Sequence, residues 1–93
     1  MKRILVSRRA YGDLQRLEDW LAERNPRAAE RLGPLLDAAL NSLSAFPERG
    51  RQISGRALRE IPVPFGKAAY LIQYRVDEEV IVVARVLHSR EER

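Results

Sequence analysis

Apolar residues recur along the chain in two rhythms, and the change of rhythm falls near its middle. Arg3 to Val6 is short and partly β-branched, which predicts a brief opening strand. Ser7 follows with the chemistry of a helix cap, a hydroxyl able to accept from an orphan backbone N–H. Ala10, Leu14, Leu17 and Leu21 then repeat at helical spacing, with Arg16, Glu18, Glu23 and Arg24 between them, predicting an amphipathic helix over about residues 8 to 24. Asn25-Pro26 closes that helix and opens another, Asn as cap and Pro at the first helical position, where a missing N–H costs nothing. The second stripe is Ala28, Leu32, Leu35, Leu36, Ala39, Leu43 and Phe46. Gly33-Pro34 interrupts it at a cost of ~3 kcal/mol. Because the stripe stays in phase on both sides, a kink is expected there rather than a restart. Pro47 ends the helix, and so short a link at Asn25 makes the two helices an antiparallel hairpin.

Past Pro47 the period changes. Glu48 to Arg56 is polar with two glycines and predicts a loop. Leu58 to Val63 is a weak strand, with Pro62 pushing its end toward an edge or a bulge. Pro64-Phe65-Gly66 marks a turn. Ala69 to Val76 places Tyr70, Ile72, Tyr74 and Val76 on one face. Asp77-Glu78-Glu79 is a short connection, and Val80 to Leu87, almost wholly apolar, belongs inside a sheet covered on most of both faces. The order β-α-α-β-β-β, with short links between the last three strands, predicts an α+β domain over residues 1–93: a helical hairpin packed on one face of a small antiparallel sheet. Spacing leaves open whether the first strand joins an edge or enters beside Val80–Leu87.

Composition adds bounds. At 93 residues the chain is one domain's worth, with a thin margin of stability and no cysteine to staple it. No run approaches the ~18 apolar residues of a membrane span, and the apolar run after the basic start stops too soon for a signal peptide. Cytoplasm is the expected location, with no membrane partner. The net charge of +4 is carried mainly by arginine, Lys2 and Lys67 being the only lysines among 17 basic residues. Arginine's planar fork suits phosphates and carboxylates, so this balance favours a nucleic-acid or acidic-protein partner, although arginine usage also follows genome composition. No metal site or cofactor is called for.

An ordered set of residues, none very specific alone, resembles the ParE family of the ParE/RelE toxin superfamily. It comprises Ala10…Asp13-Leu14, Pro26…Ala29, Leu43…Pro47…Gly50-Arg51, Arg59, Tyr70…Tyr74-Arg75 and Ile81…Arg85-Val86-Leu87-His88, and it spans essentially the whole chain. The resemblance implies the toxin half of a type II toxin–antitoxin pair, held inactive in a hetero-oligomer by a ParD-like antitoxin. ParE-like members poison DNA gyrase, whereas RelE-like members cut messenger RNA on the ribosome.

The candidate chemistry bears on that choice. His88, the only histidine, would be the acid or base of a metal-independent ribonuclease, with Arg59 and Arg85 neutralising the phosphorane charge; the plainer reading is a strand-end residue satisfied by a neighbour. Cleavage also wants a second proton-transfer group, and no tyrosine follows Tyr74, while the tail Ser89-Arg90-Glu91-Glu92-Arg93 has no lysine. Lys67 has no partner lysine, and Glu60 alternates with Arg59 onto the opposite face. Arg85, expected on the face of Ile81, Val83 and Leu87, either pairs with Glu60 or Asp77 or joins Arg59, His88 and Arg90 in a basic patch that meets the target. Tyr70 and Tyr74 read better as core than as base-stacking residues. Trp20 either completes the core or anchors the antitoxin together with Leu17 and Leu21. The expectation is a toxin that acts by binding gyrase through Arg59, Arg85, His88 and Arg90. The alternatives are a ribosome-dependent messenger-RNA endonuclease and a degenerate toxin that only binds antitoxin.

Overall fold

The computed structural model describes residues 2–53 and 55–91. Among these residues seven elements follow one another: β1 (Arg3–Val6), α1 (Arg8–Arg24), α2 (Pro26–Ala45), β2 (Arg51–Gln52), β3 (Arg59–Phe65), β4 (Ala68–Val76) and β5 (Val80–His88). Both expected caps are made. The Ser7 hydroxyl accepts from the Ala10 N–H at 3.1 Å, and the Asn25 side chain accepts from the Ala28 N–H at 3.1 Å. Asn25 thus ends α1 and caps α2, which fixes the hairpin with a one-residue link. The second helix runs through Pro34 without breaking.

The strands form one five-stranded sheet in the order β1-β5-β4-β3-β2. It departs from the expected antiparallel sheet in two ways. First, β1 pairs parallel with β5, so the sheet is mixed and the opening strand is both an edge and the neighbour of β5. A 17-residue helix followed by a 20-residue one gives the chain time to return in the same direction. Second, Arg51 and Gln52, expected in a loop, pair with Glu60 and Arg59 as a two-residue edge strand; Ser54, in the same stretch, lies outside the described residues. Since β2 covers only those two positions, Ile61–Phe65 forms the rest of that edge. Pro62 and Pro64 alternate there with residues that carry an unbroken ladder to β4, so their missing N–H groups face the open side.

The helices cover one face of the sheet. Ala10, Leu17, Leu21, Ala28, Leu32, Leu36, Leu40 and Leu43 pack on Ile61, Val63, Tyr70, Ile72, Tyr74, Ile81, Val83 and Val86. Leu40 replaces two expected core residues. Leu35 lies about 80° from the centre of the buried stripe at 100° per residue, and Phe46 falls beyond the helix as its cap; both are exposed. A bulge between β4 and β5 corrects the face expected for Arg85. Gln73 pairs with Arg85 but Tyr74 pairs with Val83, leaving Ala84 unmatched. The extra residue turns Val86 toward the helices after Val83 and sends Arg85 and Leu87 to the opposite side, against Gln73 and Leu71. No helix among the described residues is long and apolar enough to cross a membrane.

Candidate functional site

Asp13 organises the end of the molecule where β1 stops. Past the Val6–Val83 pair, β5 has no strand on that side among the described residues, and side chains take over its backbone groups. The Ser7 hydroxyl donates to the Ala84 carbonyl at 3.2 Å, and the Val86 N–H donates to Asp13 Oδ2 at 3.0 Å. Asp13 sits in the buried stripe of α1, three residues after Ala10 and four before Leu17. There its carboxylate also accepts from Arg85 Nε at 2.8 Å and Nη2 at 3.3 Å, and from Arg16 Nη2 at 3.4 Å. Burial pushes the Asp13 carboxyl up, but Arg85, the Val86 N–H and Arg16 together outweigh it and hold the group below its ordinary range. The partner of Arg85 is therefore neither Glu60 nor Asp77. Glu60 is met by Gln73 Nε2 at 3.0 Å and Arg51 at 3.5 Å, and Asp77 is paired with Arg75.

Beside this network lies a cleft of about 430 Å³ lined by Arg16, Leu17, Trp20, Tyr70, His88, Arg90 and Glu91. His88 stands edge-on to Tyr70, ring centroids 5.3 Å apart and planes at 89°. Its Nδ1 accepts from the Arg90 N–H at 3.1 Å, which places the proton of the neutral ring on Nε2. Glu91 folds back over the strand end: its carboxylate pairs with Arg16 and accepts from the His88 N–H at 3.1 Å. Burial again raises the Glu91 carboxyl, and Arg16 together with that N–H brings it below the usual value. Tyr70 moves the other way. Burial and then the charge of Glu91 hold its phenol above the ordinary range, so at neutral pH it is a hydrogen-bond donor. Among the described residues, the Arg90 guanidinium makes no ion pair or hydrogen bond.

Of the four residues expected to meet a target, His88 and Arg90 line this cleft, and Arg85 lies next to it, bound to Asp13. Arg59 does not join them. It lies opposite Tyr74, four residues along β4 from the Tyr70–His88 pair, or about 13 Å at the rise of a strand. Its guanidinium donates to the Gly50 and Glu48 carbonyls at 2.8 and 3.4 Å, bracing the loop after α2. The same loop is held by Tyr74, fully buried, whose hydroxyl accepts from the Gly50 N–H at 2.9 Å and donates to the Pro47 carbonyl at 2.8 Å. A Cβ at Gly50 would stand 2.5 Å from that hydroxyl, so only glycine fits. Both tyrosines are core residues, as expected. Glu92 and Arg93 of the expected tail lie outside the described residues.

The three residues expected to bind antitoxin separate. Trp20 is 53% exposed, with the Arg24 guanidinium 4.0 Å from the ring centroid. Leu21 packs in the core, and Leu17, also core, reaches the floor of the cleft. Sequence reasoning missed Asp13, Arg16, Tyr70 and Glu91 as members of the site. Asp13 alone left a signal, a carboxylate set between Ala10 and Leu17 in the buried stripe of α1. Arg16, Tyr70 and Glu91 are brought together only by the turn after β5.

The family model described as ParE toxin of type II toxin–antitoxin system, parDE, matches residues 4–93. Toxin RelE1 of Caulobacter vibrioides is 53% identical over 90 residues, covering 97% of this chain and 96% of its own. Toxin RelE3 of the same organism is 39% identical over 93 residues, with 100% of both chains covered. A solved chain from the chromosomal ParDE TA system of P. aeruginosa superposes with a TM-score of 0.78 at 18% identity, over 97% of this chain and 98% of that one. That last likeness concerns the fold alone.

Proposed function

The chain belongs to the ParE toxin family of type II toxin–antitoxin systems, and on that premise we propose that a cognate antitoxin holds it inactive in the cytoplasm and that, once released, it stops DNA gyrase by binding. The supporting observation is the commitment of its cations. Arg85 is bound to Asp13, Arg16 is shared between Asp13 and Glu91, and Arg59 braces a loop at the far end of the sheet. Attack of a ribose 2′-OH on phosphorus needs cations converging on one imidazole, and these guanidinium groups hold protein carboxylates and carbonyls instead. Binding asks less: an arginine-rich surface around a cleft serves it with no proton transfer. The test is supercoiling of relaxed plasmid by gyrase. Inhibition by the purified chain, with trapped cleaved DNA and relief by the antitoxin, is expected; no effect from a folded, toxic protein overturns the reading.

One observation favours a second reading, a ribosome-dependent messenger-RNA endonuclease. Tyr70, a protonated phenol, stands against His88 in a cleft that also holds Arg90, and the relatives from Caulobacter carry the RelE name. Under it, His88→Ala and Tyr70→Phe each abolish growth arrest, whereas a gyrase-binding toxin keeps most of its effect in both variants.

A further inference from the structure

The cleft is partly filled by a group from the chain itself. Two N–H groups face outward from the uncovered edge of β5, those of Val86 and His88, and each is taken by a carboxylate. The two caps differ in origin. Asp13 projects from the middle of α1 and is buried, fixed by two arginines. Glu91 comes from the turn after the last strand and remains about one-third exposed as a side chain. That turn is held by two short-range bonds, Glu91 N–H to the His88 carbonyl at 2.9 Å and Arg90 N–H to His88 Nδ1, and by Ser89 paired across the sheet with Ala69. Next to Glu91 lies empty space over Leu17, Trp20 and Tyr70, flanked by the guanidinium of Arg90.

We propose that Glu91 is a built-in occupant of a carboxylate subsite on Arg16, and that an extended acidic segment of the antitoxin displaces it. The partner's carboxylate takes the place of Glu91 on Arg16. A partner backbone carbonyl takes the His88 N–H, extending the sheet where β1 leaves β5 bare, and an apolar side chain enters the cleft between Leu17, Tyr70 and Trp20. Charge identifies this occupant: the subsite already selects a carboxylate, Arg90 adds a second cation to an otherwise largely apolar wall, and the chain carries +4 overall. The inference rests on the antitoxin reading above and adds a competition to it. While Glu91 sits on Arg16 the site is closed, so observed affinity falls by the fraction of molecules in which it is open.

Calorimetric titration with the antitoxin expressed from the adjacent gene tests this, using the wild-type chain, Glu91→Ala and Arg16→Ala, each first shown to melt cooperatively. Removing the competitor is expected to tighten binding about two- to fivefold, the range of a partly exposed ion pair. Arg16→Ala is expected to weaken it by at least as much. Binding by Glu91→Ala that is equal to or weaker than wild type overturns the competition and leaves the antitoxin reading intact. No binding by the wild type overturns both. Amide exchange at His88 gives a second readout that needs only Glu91→Ala: fast in the free variant and slow again in its complex. An amide that stays fast in the complex overturns the strand extension.

Discussion

Asp13 shows how one carboxylate sets both a stability and its pH dependence. It satisfies an edge N–H of β5, neutralises Arg85 and orients Arg16. Asp13→Ala leaves a buried N–H and a half-buried guanidinium without partners, and should cost about 3 kcal/mol in urea denaturation. Because the folded carboxyl lies below its ordinary value of 3.8, its contribution is complete above that value and is lost as pH falls through it toward the folded pKa. The wild-type chain should therefore lose stability between about pH 5 and pH 3, and Asp13→Ala should lose less over the same interval. An equal slope in the two proteins would mean that Asp13 is not the group responsible. The position was half-legible in the sequence: its place in the stripe of α1 marked it as buried, but Arg85 and Val86 lie more than 70 residues away in β5, where only the folded chain brings them.

At the scale of elements, local rules account for most of what formed. Ser7, Asn25 and Pro26 mark three helix boundaries because capping and ring geometry act within a few residues. What escaped was non-local. The bulge at Ala84 inverts the alternation of β5, so the period-two reading that put Arg85 beside Val83 failed after one extra residue. Likewise β2 exists because β3 offers an edge, and nothing in Arg51-Gln52 announces it. Pro34 is an element-scale test of a different kind. It sits on the exposed side of α2 and deletes one helical hydrogen bond while the helix continues past it. Pro34→Ala should stabilise the chain by up to about 3 kcal/mol, read as a higher denaturation midpoint with unchanged cooperativity. A lower midpoint would show that the tertiary contacts of α2 depend on the proline.

For the whole molecule, the helical hairpin and the β3-β4-β5 meander followed from pattern, whereas the place and direction of β1 and the site did not. Its cleft joins the middle of α1 to the turn after β5, and Arg59, grouped with His88 on chemistry alone, lies at the other end of the sheet. Trp20 is the single tryptophan and borders the cleft half-exposed, so it reports on occupancy. Antitoxin binding should shift its emission to the blue, and Trp20→Ala should weaken the complex by 2 kcal/mol or more, about thirtyfold, as buried aromatic anchors do. Unchanged emission in a saturated complex would place the interface elsewhere.

The paired prolines of β3 have a consequence for dosage. An uncovered strand edge invites identical chains to add to it without limit. Pro62 and Pro64 withhold the donors such growth requires, in the manner of a chain terminator in polymer synthesis. Released molecules are thereby kept from assembling with one another along that border, so the number able to reach a target stays proportional to the number set free.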